Sequence, residues 1–367
     1  MTAGRALSET SLQLYFDHLW GKGTTQLVEL TRFTRGVSRE TWGVEIKNLD
    51  GSNRPTSLIL RRPLESHGYI PRTLRFEYEI AYRLAKTNIP VAHPIRYEDD
   101  PDWAFDGREF FLREQIAGSW NVLNAVDPDP KYDAHRIALS KEMIEKLAMV
   151  HMLDWKALDF PAILEVPASL EDSGRRAVRE TYRDLAQFQY EPMPVLAEVE
   201  EWLLDNAPPA PKIVLLKGTN GLGEEVFSNN RIVALSDWEQ CSLGDPAQDF
   251  ARTQDLLPEI VRNGKTIWSM QHALDYYREL TGITVTVTAV DYYRLIGCLD
   301  GLIAFNSALR AVVDGTEPNI RRAYYSVELS HNFNRRLLDA VYGRANQGQA
   351  FGTPDVKEGS AIVAADA

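Results

Sequence analysis

The sequence predicts an α+β protein of two lobes, and three observations carry that reading. The first 120 or so residues are rich in β-prone runs and hold one main helical stretch. A short glycine-bearing segment, Gln115 to Gly118, comes next. Beyond it the apolar periodicity is mostly helical up to about residue 345. A chain of 367 residues is long enough for one large domain or for two lobes with separate cores.

Taken in order, Thr41 to Ile46 and Ser57 to Arg62 are β-prone runs joined by the turn-forming stretch NLDGSN at 48–53. A helix opening at Pro71 would set Phe76, Ile80 and Leu84 four apart on one face, and Asn88 to Pro90 would stop it. A strand over Glu109 to Arg113 follows the Asp106-Gly107 turn. In the second lobe, Ile144, Leu147, Ala148 and His151 share one helical face. A charged, aromatic-rich helical block spans Arg175 to Phe188 and Leu196 to Leu204, and Pro208, Pro209 and Pro211 end it. Ile213 to Leu216 and Arg231 to Ser236 are short strands enclosing a glycine-rich loop. Helices resume around Tyr276, Tyr292 and Tyr324. From Asn346 onward the residues are small and polar with little to bury, so a disordered tail over 346–367 is expected.

Charge and cysteine content narrow the function classes. Forty lysines and arginines stand against 52 acids, a net charge of −12. An acidic surface repels phosphate backbones and anionic lipid, which argues against nucleic-acid and membrane-surface partners. Cys241 and Cys298 lie far apart, without metal-ligand spacing, which excludes a disulfide framework or a thiolate zinc site. The first residues lack the apolar core of a signal peptide, and nowhere do about 18 apolar residues run together. The expectation is a soluble, cytoplasmic protein.

Three groups of residues can carry chemistry. The stretch RGVSRETW at 35–42 places a glycine and hydroxyl residues between β-prone runs, where backbone N–H groups can approach phosphate; an ordinary hairpin turn would read the same way. Arg61 and Arg62 end the strand LILRR, and Glu77 on the following helix is spaced to pair with one of them. Asp237 follows the apolar run 231–236, where a strand-end carboxylate can face Mg²⁺.

The order of glycine loop, strand cation, helix glutamate, hinge and strand-end aspartate resembles the aminoglycoside phosphotransferase-like family of kinase-like small-molecule phosphotransferases. Its branch related to acyl-CoA-dehydrogenase-associated domains is the nearer match. The motifs are GVSRET at 36–41, LILRRP at 58–63, RFEYEIAYRL at 75–84, IPVAHP at 89–94, FFLREQIAG at 110–118, LAMVHMLDW at 147–155 and ALSDWEQCSLGDPAQDFA at 234–251. The resemblance spans roughly residues 10 to 345 and implies a bilobal protein-kinase-like fold. It divides the chain into a nucleotide-covering N-lobe, 1–117, and a C-lobe, 118–345, with the catalytic loop and acceptor pocket. It also implies ATP (or GTP) with Mg²⁺ as cofactor and a small-molecule acceptor, hydroxylated or carboxylated. Gly36 and Ser38 would lie in the nucleotide-covering loop and Arg61 would hold phosphate with Glu77 as its partner. Gln115 and Ile116 would present backbone groups at the adenine hinge, and Asp237 would bind the metal.

One motif departs from the pattern. The family carries H-G-D-x-x-x-x-N, with its asparagine thirteen residues before the metal aspartate; here Lys217 to Glu224 reads KGTNGLGE and keeps that spacing to Asp237. Lys217 replaces the histidine, Thr219 the catalytic aspartate and Glu224 the metal-binding asparagine. Threonine cannot take a proton from a substrate hydroxyl at neutral pH, whereas Glu224 can still bind Mg²⁺. Three readings follow. The first is an ATP-dependent phosphotransferase with a rebuilt site, whose acceptor is already an anion held by Lys217 or whose base is Glu225. The second is a fold repurposed for nucleotidyl transfer, elimination or hydrolysis at Lys217, Glu224 and Glu225. The third is a catalytically inactive pseudokinase acting as a binding or scaffold protein.

The remaining candidates have plainer readings. His151 on an apolar helix face reads as a hydrogen-bonded core histidine, and His67, His93 and His135 as surface or loop residues. Cys241 reads as a small buried filler, and Asp249, by the resemblance, as a brace for the catalytic loop. Tyr182, Phe188, Tyr190 and Trp202 are either helical core or the wall of an acceptor pocket.

Overall fold

The computed structural model describes residues 5–33, 39–64, 72–189, 193–315 and 332–343. Its first layer is a five-stranded antiparallel sheet of β1 (Thr25–Phe33), β2 (Arg39–Asn48), β3 (Ser57–Pro63), β4 (Pro94–Glu98) and β5 (Phe110–Glu114), in the order β1-β2-β3-β5-β4. Two helices pack on this sheet rather than the single one expected. α1 (Glu9–Trp20) starts at a reciprocal cap, in which the Ser8 hydroxyl accepts from Ser11 N and the Ser11 hydroxyl accepts from Ser8 N. Its Leu12, Tyr15 and Phe16 are fully buried with Val44, Leu58, Leu60, Phe110 and Leu112. The missed signal is the spacing of those three residues behind Ser8. α2 (Leu74–Leu84) begins at Thr73, whose hydroxyl accepts from Phe76 N, and buries Glu77, Ile80 and Leu84.

Alternation along β3 decides which arginine faces the interlobe cleft. Arg61 points one way, toward Glu77. Arg62 points the other and pairs with Glu40 at 2.8 Å and Asp106 at 2.7 Å.

The C-lobe is built around α3 (Asp133–His151), which separates two apolar cores. Ile144 and Ala148 face one of them; Leu139, Met143, Leu147 and Val150 face the other. Further helices are α4 (Asp172–Phe188), α5 (Val195–Asp205), α6 (Ala247–Ala251), α7 (Met270–Thr281) and α8 (Val287–Val313). Between α5 and α6 lie two short antiparallel pairs, β6 (Val214–Leu216) with β9 (Ser242–Gly244), and β7 (Glu225–Ser228) with β8 (Arg231–Leu235). β10 (Ile260–Arg262) and β11 (Lys265–Trp268) form a hairpin before α7. The strands expected at 213–216 and 231–236 are present, and β7, β9 and the later hairpin are additional. α8 has the length and hydropathy of a membrane span, yet half of its most apolar window is buried, and it packs on α4 and α6 within the larger core. The tail from Asn346 and the glycine-loop residues Gly36 and Ser38 lie outside the described residues.

Candidate active site

Where the sheet of the N-lobe meets β6–β9 of the C-lobe, a cleft of about 1180 Å³ opens. Its N-lobe wall carries Arg61, and Glu77 of α2 lies behind it. Arg61 Nη1 is 3.2 Å from Glu77 Oε2. The other carboxylate oxygen, Oε1, accepts from Arg39 Nε at 2.6 Å, a partner the sequence did not disclose. Glu77 and Arg39 are buried and Arg61 is half-buried, at 5, 6 and 13% exposure. A pair so desolvated is retained for the position it fixes more than for net stability. It holds a guanidinium against the cleft, where an anionic ligand group can meet it.

At the hinge, Gln115 and Ile116 both line the cleft beside Ile59, Ala92, Val226 and Ala234. Gln115 N donates to the Ser57 carbonyl. The chain then crosses to the C-lobe at Gly118. A Cβ there would stand 2.5 Å from the Phe227 carbonyl, so only glycine allows the reciprocal Ser119–Phe227 backbone bonds that join hinge to β7.

The loop from Lys217 is braced from below. Asp249 accepts from Lys217 N and Gly218 N at 2.9 Å each and from Asn220 Nδ2 at 3.1 Å, and its Oδ2 lies 3.0 Å from His151 Nε2. Tyr277 OH meets the other ring nitrogen of His151 at 2.9 Å. Burial works against the Asp249 charge, but His151 and the two amides overcome it and hold the carboxyl below its usual range. His151 is thus a hydrogen-bonded core residue, and Asp249 a brace. Gly218 is the one family residue kept in the loop, and space explains it: φ is +94°, and a Cβ would lie 2.3 Å from the Gln240 carbonyl.

The structure corrects the reading of Lys217 and Glu225 as groups that touch substrate. Both side chains are fully buried, Lys217 Nζ lies 3.1 Å from Glu225 Oε1, and it also donates to the Thr219 carbonyl. β7 explains this. Glu225 is in phase with Phe227, which packs into the core, whereas Val226 between them lines the cleft. Neither charged group can hold an acceptor or take its proton from this position.

Thr219 and Glu224 do reach the cleft, together with Asp237. The Thr219 hydroxyl donates to the Asp237 carbonyl, which ties Thr219 to the backbone of Asp237. Asp237 adopts φ +56°, a left-handed backbone that turns its carboxylate out of line with β8. Its Oδ1 is buried without a hydrogen-bond partner. Glu224 is pushed up to about 8, first by burial and then by the Asp237 carboxylate beside it. Two carboxylates pressed together, one with an orphaned oxygen, suit a divalent cation with hard oxygen ligands. Among the described residues, no group of three or more His, Cys, Asp or Glu side chains gathers so as to hold a metal ion by itself.

The C-lobe half of the cleft is lined by Ala177, Ile296, Ile303 and Phe305, with Arg72, Arg252 and several acids. Arg252 donates to the Gly218 carbonyl and to Gln240 Oε1 at 2.8 Å each, next to the Thr219 position, and pairs with Asp300. Glu180 is held by Arg176 at 2.7 Å. Tyr182 and Trp202 pack against the larger core, and the Tyr182 hydroxyl donates to the Leu196 carbonyl, so these two are core rather than the cleft wall. Tyr190 and the Phe188 side chain lie outside the described residues. Cys241 is fully buried, as a filler would be.

The model of a phosphotransferase enzyme family matches residues 29–265. Acyl-CoA dehydrogenase family member 11 of Pongo abelii is 23% identical over 317 residues, covering 80% of this chain but 38% of that protein. The chain therefore spans about two-fifths of the length of that relative. Among solved structures, a Ralstonia eutropha protein described as an aminoglycoside phosphotransferase superposes with a TM-score of 0.62 at 18% identity, covering 90% of this chain and 98% of the other. A thermostable mutant of aminoglycoside phosphotransferase APH(4)-Ia, in complex with AMP-PNP and hygromycin B, gives 0.51 at 14% identity, covering 89% and 98%. These likenesses establish the kinase-like bilobal fold.

Proposed function

The chain belongs to the phosphotransferase enzyme family, and from that premise we propose that it transfers a phosphoryl group from a Mg²⁺-bound nucleoside triphosphate to a small-molecule acceptor whose oxygen is already ionised. One observation carries the reading: the cleft keeps Arg61 anchored on Glu77 opposite an Asp237 oxygen that lacks a partner, while the base position holds a hydrogen-bonded threonine. Asp237 and Glu224 would hold Mg²⁺, which would neutralise phosphate charge when bound. Arg61 would meet the phosphates, and the Gln115 and Ile116 backbone the base.

Phosphoryl transfer through a loose transition state depends chiefly on positioning and electrostatics. Loss of the base therefore penalises a neutral alcohol acceptor and spares a carboxylate or phosphate, which brings no proton to remove. With Lys217 sealed away, Arg72 is a cation of the cleft available to such an acceptor, while Arg252 lies beside the Thr219 position as the partner of Asp300. The acids Glu180 and Asp300 in the same half are each paired with an arginine.

A second reading has its own observation. The Lys217–Glu225 pair closes the loop beneath the cleft, as suits a protein that binds nucleotide without turning it over. The same pair removes two of the three groups that a repurposed acid–base chemistry would need.

Calorimetric titration with nucleotide, with and without Mg²⁺, tests the nucleotide half of the proposal. Wild-type protein is expected to bind in a Mg²⁺-dependent manner. Asp237→Asn, which keeps a residue suited to the left-handed backbone, is expected to lose that dependence and to stay folded. Equal binding with and without Mg²⁺ in the wild type would remove Asp237 from the metal role.

A further inference from the structure

Arg113 stands on β5 two residues before Gln115, directly across from Ile59 of β3 and Pro94 of β4. Residues paired across strands share a face, so Arg113 projects with Ile59 toward the cleft that both line. Arg113 and Ile59 line the cleft together with Ala92, Val226 and Arg61. Its Nε is buried with no hydrogen-bond partner, and among the described residues no ion pair includes it. The carboxylate on that side, Glu77, is already shared by Arg39 and Arg61. The neighbouring Glu114 turns to His93, accepting from its backbone N at 2.9 Å. Arg113 is therefore a guanidinium just ahead of the hinge, within electrostatic reach of Glu77 and Asp237, whose Nε finds no hydrogen-bond acceptor. Burial, then the like charge of Arg61, pulls it down to about 10, against the pull of Glu77 and Asp237.

We infer that Arg113 is a specificity-determining residue that selects a purine bearing a carbonyl at C6, so that the donor is a guanine nucleotide in preference to an adenine one. The inference rests on the nucleotide reading of the cleft above. A guanidinium has donors only, in a planar fork. Guanine presents O6 and N7 side by side as acceptors and can satisfy two of those donors, whereas adenine places an amino donor where O6 would be. An apolar residue at position 113 would leave that edge unread.

Binding of GTP, ITP and ATP, each with Mg²⁺, to the full chain tests the assignment by calorimetry. ITP carries the C6 carbonyl but lacks the 2-amino group of guanine. Wild-type protein is expected to bind GTP and ITP about 10- to 100-fold more tightly than ATP, the discrimination of one bidentate arginine contact. Arg113→Met is expected to bring the three near parity, and Arg113→Lys, which keeps the charge without the fork, to fall between. ATP binding as tightly as GTP in the wild type would overturn the inference while leaving the nucleotide site intact. Equal loss of all three ligands in Arg113→Met would also overturn it, by assigning the residue to phosphate. Failure of every nucleotide to bind the wild type would overturn the inference and the nucleotide reading together.

Discussion

Replacing Lys217 with alanine is expected to destabilise the fold by about 3–5 kcal/mol, the cost of leaving one member of a buried ion pair without its partner. Glu225 is fully buried and would keep the backbone amides of Ser236, 3.3 Å away, and Gly221 as hydrogen-bond donors. Burial already raises Glu225 against the pull of Lys217, and removing the lysine raises it further. A carboxyl whose pKa is higher folded than unfolded binds its proton more tightly in the folded state. The variant should therefore be most stable below the ordinary glutamate range and lose stability as pH rises through the elevated value. The double variant Lys217→Met, Glu225→Leu should recover most of the loss, since well-packed apolar residues often replace a buried pair at little cost. Denaturant unfolding of the wild type and these two variants between acidic and neutral pH reads all of this. A Lys217→Ala protein with wild-type stability but abolished transfer would show instead that the lysine touches substrate.

Thr219→Asp is expected to raise Mg²⁺-nucleotide hydrolysis by about 10²- to 10⁴-fold, the range contributed by a positioned general base. Water is a neutral acceptor like an alcohol, so hydrolysis reports on the missing base without knowledge of the natural acceptor. The gain corresponds to about 3–5 kcal/mol of barrier. Thr219 lines the cleft next to Asp237, so an aspartate there faces the same space, though it gives up the hydrogen bond to the Asp237 carbonyl. Thr219→Asn, which has similar bulk but cannot act as a base, is the control and should stay near wild type. An unchanged rate in Thr219→Asp would mean that another group already serves as base, and the ionised-acceptor argument would fall.

Much of the site was legible before any coordinates. Arg61, Glu77, Gln115, Ile116 and Asp237 sit in contiguous motifs whose order resembles a known family, and the fold brings them to one cleft. Arg39 and Arg113 were not legible, because their roles depend on strand register and on which face of the sheet each residue takes. Lys217 and Glu225 misled for a related reason. A loop dense in glycine and charge reads as solvent-facing, yet Glu225 is in phase with Phe227, an apolar side chain two residues on, and that phase carries it inward. α1 was overlooked although Leu12, Tyr15 and Phe16 behind Ser8 have helical spacing. The choice between Arg61 and Arg62 as partner of Glu77 needed the direction of one strand, which alternation leaves open by a single residue.

The most direct test of the account is transfer of the γ-phosphate from Mg²⁺-bound GTP or ATP to paired acceptors of the same carbon skeleton, one ending in a carboxylate and the other in an alcohol. Acyl phosphates would be trapped as hydroxamates with hydroxylamine, and phosphate esters followed by label. The account predicts transfer to carboxylates or phosphates, lost in Asp237→Asn, with the matching alcohols slower by about the 10²- to 10⁴-fold that a general base supplies. Transfer to an alcohol as fast as to its acid partner would contradict it.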